Sequence, residues 1–166
     1  MEGLLSCEQL RDVLSYCTET GIFTWKQSRT PVKAGQQAGG ISGSGYRRIV
    51  IDGRAYQASH LAWLYVHGKW PPAVEMDHKD GDTLNDRIDN LRPATSSQNS
   101  ANTRKPITNT SGYKGVTWNR RVGKWQSQIK VGGRSIYLGI YGNAEDAHAA
   151  YVAISRELRG DFARVA

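Results

Sequence analysis

The chain has 166 residues, a formal net charge of +7 and two cysteines. This length accommodates two small domains, each near the lower limit for an independent hydrophobic core. No apolar run approaches membrane-spanning length, and Met1 is not followed by a signal peptide, so neither a membrane protein nor a secreted one is expected. Two cysteines do not suggest a disulfide scaffold. We therefore expect a basic protein that works in a reducing compartment.

Short elements separated by loops are expected in the N-terminal part. In chain order the pattern predicts a helix over 7–17, a strand over 21–26 and a loop over 32–45. A hairpin around Asp52-Gly53, with strands over 46–51 and 55–57, and a second helix over 59–66 are expected next. Residues 26–72 contain seven bases and one acid, which suggests contacts to backbone phosphates. His60 and His67 are interpreted as packed side chains, with phosphate contacts as the alternative.

The most informative motif is Glu-Met-Asp-His-Lys-Asp-Gly-Asp at residues 75–82. Asp77 would supply a hard oxygen ligand and Asn99 a second, a donor set that suits Mg²⁺ or Mn²⁺. His78 stands beside Asp77, and a histidine can take a proton from water near neutral pH. Such a metal can orient a scissile phosphate and stabilise the departing oxygen. The motif therefore has the minimum equipment for cutting a phosphodiester bond.

The elements around this motif are expected to be a strand over 74–77, a loop over 79–89, a return strand over 91–94 and a helix over 98–103. Thr95, Ser96 or Ser97 would cap the helix. Asp77 and His78 can share one site only if the first strand ends or twists there, because adjacent residues on a strand face opposite ways.

Two other interpretations of the motif remain open. A plain surface turn is the common meaning of Asp-, Asn- and Gly-rich segments. A calcium loop is disfavoured, since the order of acids around the glycine is wrong for one. Residues 73–90 contain six acids and two bases within a basic chain, which fits a cation site better than a DNA-binding surface.

A second module is predicted after a polar linker at residues 106–112. Strands are expected over 113–118, 124–131 and 134–140, with a tight turn at Gly132-Gly133 and a helix over 144–159. Ile136, Leu138 and Ile140 would share one strand face. The helix carries an apolar stripe, and the apolar sheet face should pack on it: Ala144, Ala147, Tyr151, Ile154 and Leu158.

The other face of this sheet is strongly basic. Residues 113–138 contain six bases and no acid, and residues 106–166 contain nine bases against four acids. Trp118 and Tyr137 are interleaved with these bases. A solvated charged face is the alternative, but a basic, aromatic sheet indicates double-stranded DNA as the partner. A sheet of this kind can enter the major groove.

The motifs at 76–82, 85–92 and 97–99 resemble the HNH endonucleases of phage and homing type. The resemblance covers roughly residues 1–105, with the metal motif at about 73–104. It implies that Asp77 and Asn99 hold one Mg²⁺ or Mn²⁺, that His78 is the general base and that Asn90 pins the loop. Asn102 is the rival for the second ligand. Many HNH proteins add a structural zinc, but Cys7 and Cys17 cannot form two Cys-x-x-Cys pairs, so no such zinc is expected.

Residues 111–162 resemble the Apetala-two (ethylene-response-factor) DNA-binding domain through Tyr-Lys-Gly-Val, Gly-Lys-Trp, Ile-Tyr-Leu-Gly and Asn-Ala-Glu-Asp-Ala. The plant pattern prefers Arg at Lys114 and Lys130, Glu at Gln128 and Trp at Tyr137, so its sequence preference does not transfer. Together with the basic face, the resemblance implies a set of DNA-contacting residues: Lys114, Arg120, Arg121, Gln128, Lys130, Arg134 and Tyr137.

We therefore expect an α+β protein with an HNH nuclease domain at 1–105, a linker at 106–112 and an Apetala-two-type domain at 113–162. The expected function is metal-dependent cleavage of DNA, in the cytoplasm of a bacterial or phage-infected cell. A DNA-binding regulator with an inactive nuclease module is the alternative. No membrane association is expected.

Overall fold

The structure, a computed structural model, describes residues 5–28, 30–72, 75–103 and 108–165. It divides into two compact units, one ending at Ala94 and the other beginning at Thr95. Helices and antiparallel sheets are mixed in both, which confirms the α+β class. Residue 74 of the first predicted metal-motif strand and residues 106 and 107 of the predicted linker lie outside the described residues. None of the helices in the described part of the chain is long and apolar enough to cross a membrane.

The described residues of the first unit form two α-helices, one 3-10 helix (Ile88–Asn90) and three small antiparallel sheets. The sheets are β1–β2, β3–β4–β5 and β6–β7. The elements are α1 (Cys7–Val13), β1 (Leu14–Cys17), β2 (Ile22–Trp25), β3 (Gly40–Ile41), β4 (Arg47–Ile51), β5 (Arg54–Gln57), α2 (Ala58–His67), β6 (Glu75–His78) and β7 (Leu91–Ala94). The predicted hairpin at Asp52-Gly53, the second helix and the two metal-motif strands are confirmed.

The predicted first helix is wrong over its last four residues. Helix α1 begins at a capping box between Ser6 and Gln9 and ends at Val13. The chain then becomes extended, with Leu14 and Tyr16 buried and the residues between and after them exposed. This period of two matches a strand, and pairing with β2 fixes it. Tertiary pairing has overridden the local helical pattern.

One apolar core holds the first unit together. It draws on both helices and all the sheets: Leu10, Leu14, Phe23, Ile49, Ile51, Leu61, Leu64, Met76 and Leu91 are all buried. Burying a side chain of this kind contributes roughly 1.5–3 kcal/mol. Met76 and Leu91 place the β6–β7 pair against this core. The core therefore fixes the strands that carry the predicted metal motif.

The described residues of the second unit form two α-helices, one 3-10 helix (Gly160–Phe162) and one three-stranded sheet in the order β10–β9–β8. Its elements are α3 (Ser96–Asn102), β8 (Val116–Asn119), β9 (Lys124–Val131), β10 (Arg134–Tyr141) and α4 (Ala144–Arg159). Thr95 caps α3 through a capping box with Gln98, and Asn143 caps α4. Val116 and Ile129 of the sheet are buried together with Ala147 of α4. The predicted packing of the sheet on this helix is confirmed.

A β-bulge changes the faces of β10. Ile136 pairs with Ile129, but the register shifts between Tyr137 and Gly139, and Ile140 then pairs with Gln126. Residues paired across an antiparallel sheet share a face, so Ile140 lies on the face opposite Ile136. The prediction that the two share a face is therefore wrong, because the extra residue of a bulge breaks simple alternation.

The apolar stripe of α4 is shorter than predicted. Ala144, Ala147 and Tyr151 are buried, and the next buried residue is Ser155, whereas Leu158 is 48% exposed. In the last turn, Leu158 lines a surface groove with Ala101 of α3 and with Phe162 instead. The sheet thus covers only the first three turns or so of the helix.

Gly115 sets the distance between the start of β8 and α4. Its φ is +77°, and a Cβ added there would lie 2.0 Å from Cδ2 of the buried Tyr151. We expect Gly115→Ala to destabilise the second unit by about 1–3 kcal/mol, because the methyl group overpacks this contact. Gly123→Ala is the control, since its φ is +62° but nothing lies within 4 Å. Denaturant unfolding followed by tryptophan fluorescence measures both, and equal losses would contradict the steric explanation.

Candidate active site and nucleic-acid interface

The β6–β7 pair positions the two central residues of the motif. Asp77 pairs with Arg92, and His78 pairs with Leu91. Asp77 is 2% exposed and His78 is 3% exposed, although both are polar. Strand β6 ends at His78, whose carbonyl accepts a hydrogen bond from Gly81 N at 2.8 Å. The strand thus turns directly after the histidine.

Arg92 neutralises the buried Asp77. Its Nε donates to Oδ2 of Asp77 at 2.7 Å, and its Nη2 forms an ion pair with the same oxygen at 2.7 Å. A buried carboxylate is costly unless a positive charge and hydrogen bonds compensate it. The guanidinium supplies both and holds the carboxylate in one orientation.

Asp86 is a functional candidate that the sequence analysis missed. Its Oδ1 lies 3.1 Å from Nε2 of His78, and both side chains are 3% exposed. Among the described residues, no group hydrogen-bonds to its buried Oδ2. The carboxylate therefore interacts mainly with the imidazole. Its only signal in the sequence was membership of the acidic segment, because a loop of seven residues separates it from His78.

Tyr16 holds the backbone of Asp86 from the first hairpin. Its hydroxyl donates to the Asp86 carbonyl at 2.8 Å. Burial, and after it the nearby Asp86 carboxylate, raises the pKa of Tyr16, so the hydroxyl keeps its proton as a donor. At the turn of the same hairpin, a Cβ on Gly21 would come within 2.5 Å of Arg87 N. The β1–β2 hairpin thus rests directly on the segment that carries Asp86.

Asn90 ties together the loop between β6 and β7. Its Oδ1 accepts from Asp80 N at 3.1 Å, and its Nδ2 donates to Asp80 Oδ1 at 3.0 Å and to Asn85 O at 2.8 Å. Burial raises the pKa of Asp80, but hydrogen bonds from Asp82 N, Asn85 and Asn90 outweigh it and hold that pKa below its usual value. Asp80 is therefore an ionised anchor of the loop at neutral pH.

The candidate ligands for a cation are few, and all of them are oxygen atoms of carboxylate or amide groups. The described residues contain no cluster of three or more His, Cys, Asp and Glu side chains suited to a metal. Mg²⁺ does not require such a cluster, since it uses one or two carboxylates and completes its shell with water or phosphate oxygens. Asp77 is the predicted carboxylate ligand, and this role stays a prediction. Asn99 lies on α3 of the second unit and is partly exposed, whereas Asn102 is 6% exposed.

Three of the predicted DNA contacts share the sheet face opposite α4. Gln128 and Lys130 alternate with the buried Ser127 and Ile129, and Tyr137 pairs with Gln128. Tyr137 is 58% exposed. We call this surface, formed by Lys124, Gln126, Gln128, Lys130 and Tyr137, the open face.

The remaining predicted contacts lie elsewhere. Arg120 and Arg121 are exposed in the β8–β9 turn, while Arg134 pairs with Val131 and so has a register position on the α4 side. Trp118 was expected among the bases, but it pairs with Trp125, and their rings lie edge to face at 5.0 Å. That expectation is wrong, because the β8–β9 register turns Trp118 away from the open face.

Lys114 has a partner within the second unit. Its Nζ donates to the carbonyls of Ala101 at 2.9 Å and Thr103 at 2.6 Å, at the end of α3. Burial, followed by the charges of Arg159 and Arg164, lowers its pKa to about 8. Lysine at a helix C-terminus complements the unpaired carbonyls there. Its predicted contact with DNA stays a prediction.

Comparisons with known proteins match both halves of the chain. The family model for HNH endonucleases matches residues 56–101, and that for the AP2 domain matches residues 111–161. Protein 3.8 of Escherichia phage T7 is 36% identical over 102 residues, which cover 61% of this chain and 84% of the phage protein. The HNH match includes Asp77, His78, Asn90 and Asn99, and it continues beyond Ala94 into the second unit.

Two plant proteins are similar to the C-terminal part alone. APETALA2-like protein 2 of Oryza sativa subsp. indica is 40% identical over 57 residues, which are 34% of this chain and 13% of the rice protein. AP2-like ethylene-responsive transcription factor TOE2 of Arabidopsis thaliana is also 40% identical over 57 residues, which are 12% of its length. The chain thus shares one domain with these plant proteins and spans about an eighth of each.

The contacts of Lys114 separate a structural role from a DNA contact. We expect Lys114→Met to destabilise the second unit by about 1–3 kcal/mol, because two carbonyls lose a charged donor, and to change DNA affinity little. Lys130→Met, on the open face, should do the reverse. Denaturant unfolding and fluorescence anisotropy with a labelled duplex at low salt measure both quantities. A greater loss of affinity in Lys114→Met than in Lys130→Met would assign Lys114 to the DNA interface.

Proposed function

We propose that this chain, which belongs to the HNH endonuclease family and carries an AP2 domain, is a metal-dependent endonuclease that cuts double-stranded DNA. Proteins of both families bind DNA, so DNA is its partner. The observation that carries the proposal is the buried pair of His78 and Asp86 at 3.1 Å, with His78 following the buried Asp77 directly in the sequence. The phage relative supports action inside an infected bacterial cell.

His78 is the general base of this proposal. A carboxylate near Nε2 favours the tautomer with the proton on that nitrogen, so that Nδ1 is the nitrogen able to accept one. Asp86 would then stabilise the imidazolium that forms when His78 takes a proton from the attacking water. Asn90 keeps the intervening loop in the shape that brings Asp86 back to His78.

Asp77 and Asn99 would hold one Mg²⁺ or Mn²⁺, in keeping with the divalent-metal dependence of the HNH family. When bound, such an ion polarises the scissile phosphate and stabilises the charge on the departing oxygen. Arg92 orients the Asp77 carboxylate through Oδ2. The open face of the second unit would select the DNA site, with Lys124 and Lys130 contacting phosphates.

A DNA-binding regulator with an inactive nuclease module is the second candidate. The observation in its favour is the close engagement of Asp77 by Arg92, since a guanidinium competes with a cation for a carboxylate. The two candidates differ in one measurable property, which is cleavage of DNA on addition of a divalent cation.

Cleavage of supercoiled plasmid tests the proposal. We expect nicked or linear product with Mg²⁺ or Mn²⁺ and none with EDTA. His78→Ala should lower the cleavage rate about 10²–10⁴-fold, because the base is lost, while DNA affinity stays within about twofold. His67→Ala is the matched control, since this exposed histidine packs on Trp63 with ring centroids 4.0 Å apart. A wild-type chain that binds DNA but does not cleave it would favour the DNA-binding regulator. Near-normal turnover by His78→Ala would show that His78 is not the general base.

The second metal ligand is tested by comparing two asparagines of α3. Asn99→Ala should raise the metal concentration needed for half-maximal cleavage by about tenfold or more, because a ligand is removed. Asn102→Ala should mainly lower stability, since Asn102 is buried within the second unit. Metal titrations of both variants, with thermal unfolding as the control for folding, decide between them. The reverse ranking would assign the ligand to Asn102.

A further inference from the structure

A chain of amide hydrogen bonds crosses from the β8–β9 turn to the centre of the open face. The backbone N–H of Arg121 donates to Asn119 Oδ1 at 3.1 Å. Nδ2 of Asn119 then donates to Gln126 Oε1 at 3.0 Å. Asn119 is the last residue of β8, and Gln126 lies on β9 between Lys124 and Gln128.

This series of hydrogen bonds determines which atom of the Gln126 amide can bind an external group. A backbone N–H can only donate, so the atom of Asn119 that faces Arg121 must be its oxygen. The amide nitrogen of Asn119 then faces Gln126, which must present its own oxygen in return. Within the part of the chain that the structure describes, Gln126 makes no other side-chain hydrogen bond. Its Nε2 therefore carries two N–H donors for an external group.

The position of Gln126 on the strand suits a base edge rather than a phosphate. Lys124 and Lys130 are exposed near the two ends of β9, about 20 Å apart at roughly 3.3 Å per residue. The DNA major groove is about 12 Å wide, so the two lysines can reach phosphates on opposite rims when the strand crosses the groove. Gln126 then lies above the bases, between the rims.

The four bases differ in what they offer to a group that presents two N–H donors. Guanine presents two acceptors, N7 and O6, in the major groove, whereas adenine presents an acceptor and a donor. A free glutamine pairs with adenine because it offers both its oxygen and its nitrogen. Gln126 does this less well, since Asn119 Nδ2 already takes one of the two lone pairs of its oxygen and lies beside that oxygen. A pair of N–H donors matches guanine instead.

We propose that Gln126 is a specificity-determining residue that reads a guanine through Nε2, and that Asn119 is the positioning residue that sets this preference. The inference rests on the proposed role of the second unit as the DNA reader. The inference names guanine as the base that Gln126 selects. It also assigns control of that selection to Asn119, which does not contact the base itself.

Selection from a randomised duplex pool tests this inference. The full chain is used with EDTA, so that DNA is bound but not cut, and bound duplexes are sequenced. The wild type should enrich guanine at one position by on the order of tenfold or more. Gln126→Ala should abolish the preference at that position alone. Asn119→Ala should broaden it to guanine and adenine, because the freed oxygen can then accept from adenine.

Arg121→Ala is the matched control. It keeps the backbone N–H that orients Asn119, so the guanine preference should persist even where overall affinity falls. Thermal unfolding checks that each variant remains folded. An unchanged preference in Gln126→Ala, or a wild-type preference for adenine at the position that Gln126 governs, would overturn the assignment of guanine to Gln126. Absence of sequence-selective binding by the wild type would instead overturn the proposed reader role.

Discussion

Burial of charge at the end of β6 is the constraint on which the first unit depends. Asp77, His78 and Asp86 are all at most 3% exposed. Removing ionisable groups from water costs several kcal/mol for each ion unless partners compensate. Arg92 compensates Asp77, and His78 is the hydrogen-bond partner of the Asp86 carboxylate. The surrounding elements must hold these partners in register, because any shift would leave a buried charge unpaired.

The N-terminal hairpin helps to hold the segment that carries Asp86 in place. Tyr16 donates to the carbonyl of Asp86, and Gly21 allows the hairpin turn to approach the backbone of Arg87 closely. Asn90 holds the other side of the same loop through Asp80 and Asn85. The loop is thus fixed from two directions. Such preorganisation would keep His78, the proposed general base, aligned with the Asp86 carboxylate without cost at the moment of reaction.

In the second unit, the register of the sheet decides what can face DNA. The β8–β9 pairing removes Trp118 from the open face, and the bulge in β10 brings Ile140 onto it. The N-terminal helix of this unit, α3, carries the proposed ligand Asn99 and is capped by Lys114 of the AP2 domain. A residue that plant-type docking would assign to DNA thereby supports the helix of the proposed metal ligand.

The sequence by itself determined the family of each half, the fold class, most strands and helices, and the residues of the motif, because these follow from local spacing and periodicity. The boundaries of β7, β9 and α4 follow from such local patterns. Only the tertiary structure decided that residues 14–17 form a strand, since their partner is β2. Only the structure shows that Asp86 pairs with His78, that Lys114 binds the carbonyls at the end of α3 and that Asn119 orients the Gln126 amide. Each of these depends on a contact made across a turn or a loop, and such a contact leaves no periodic signal in the chain.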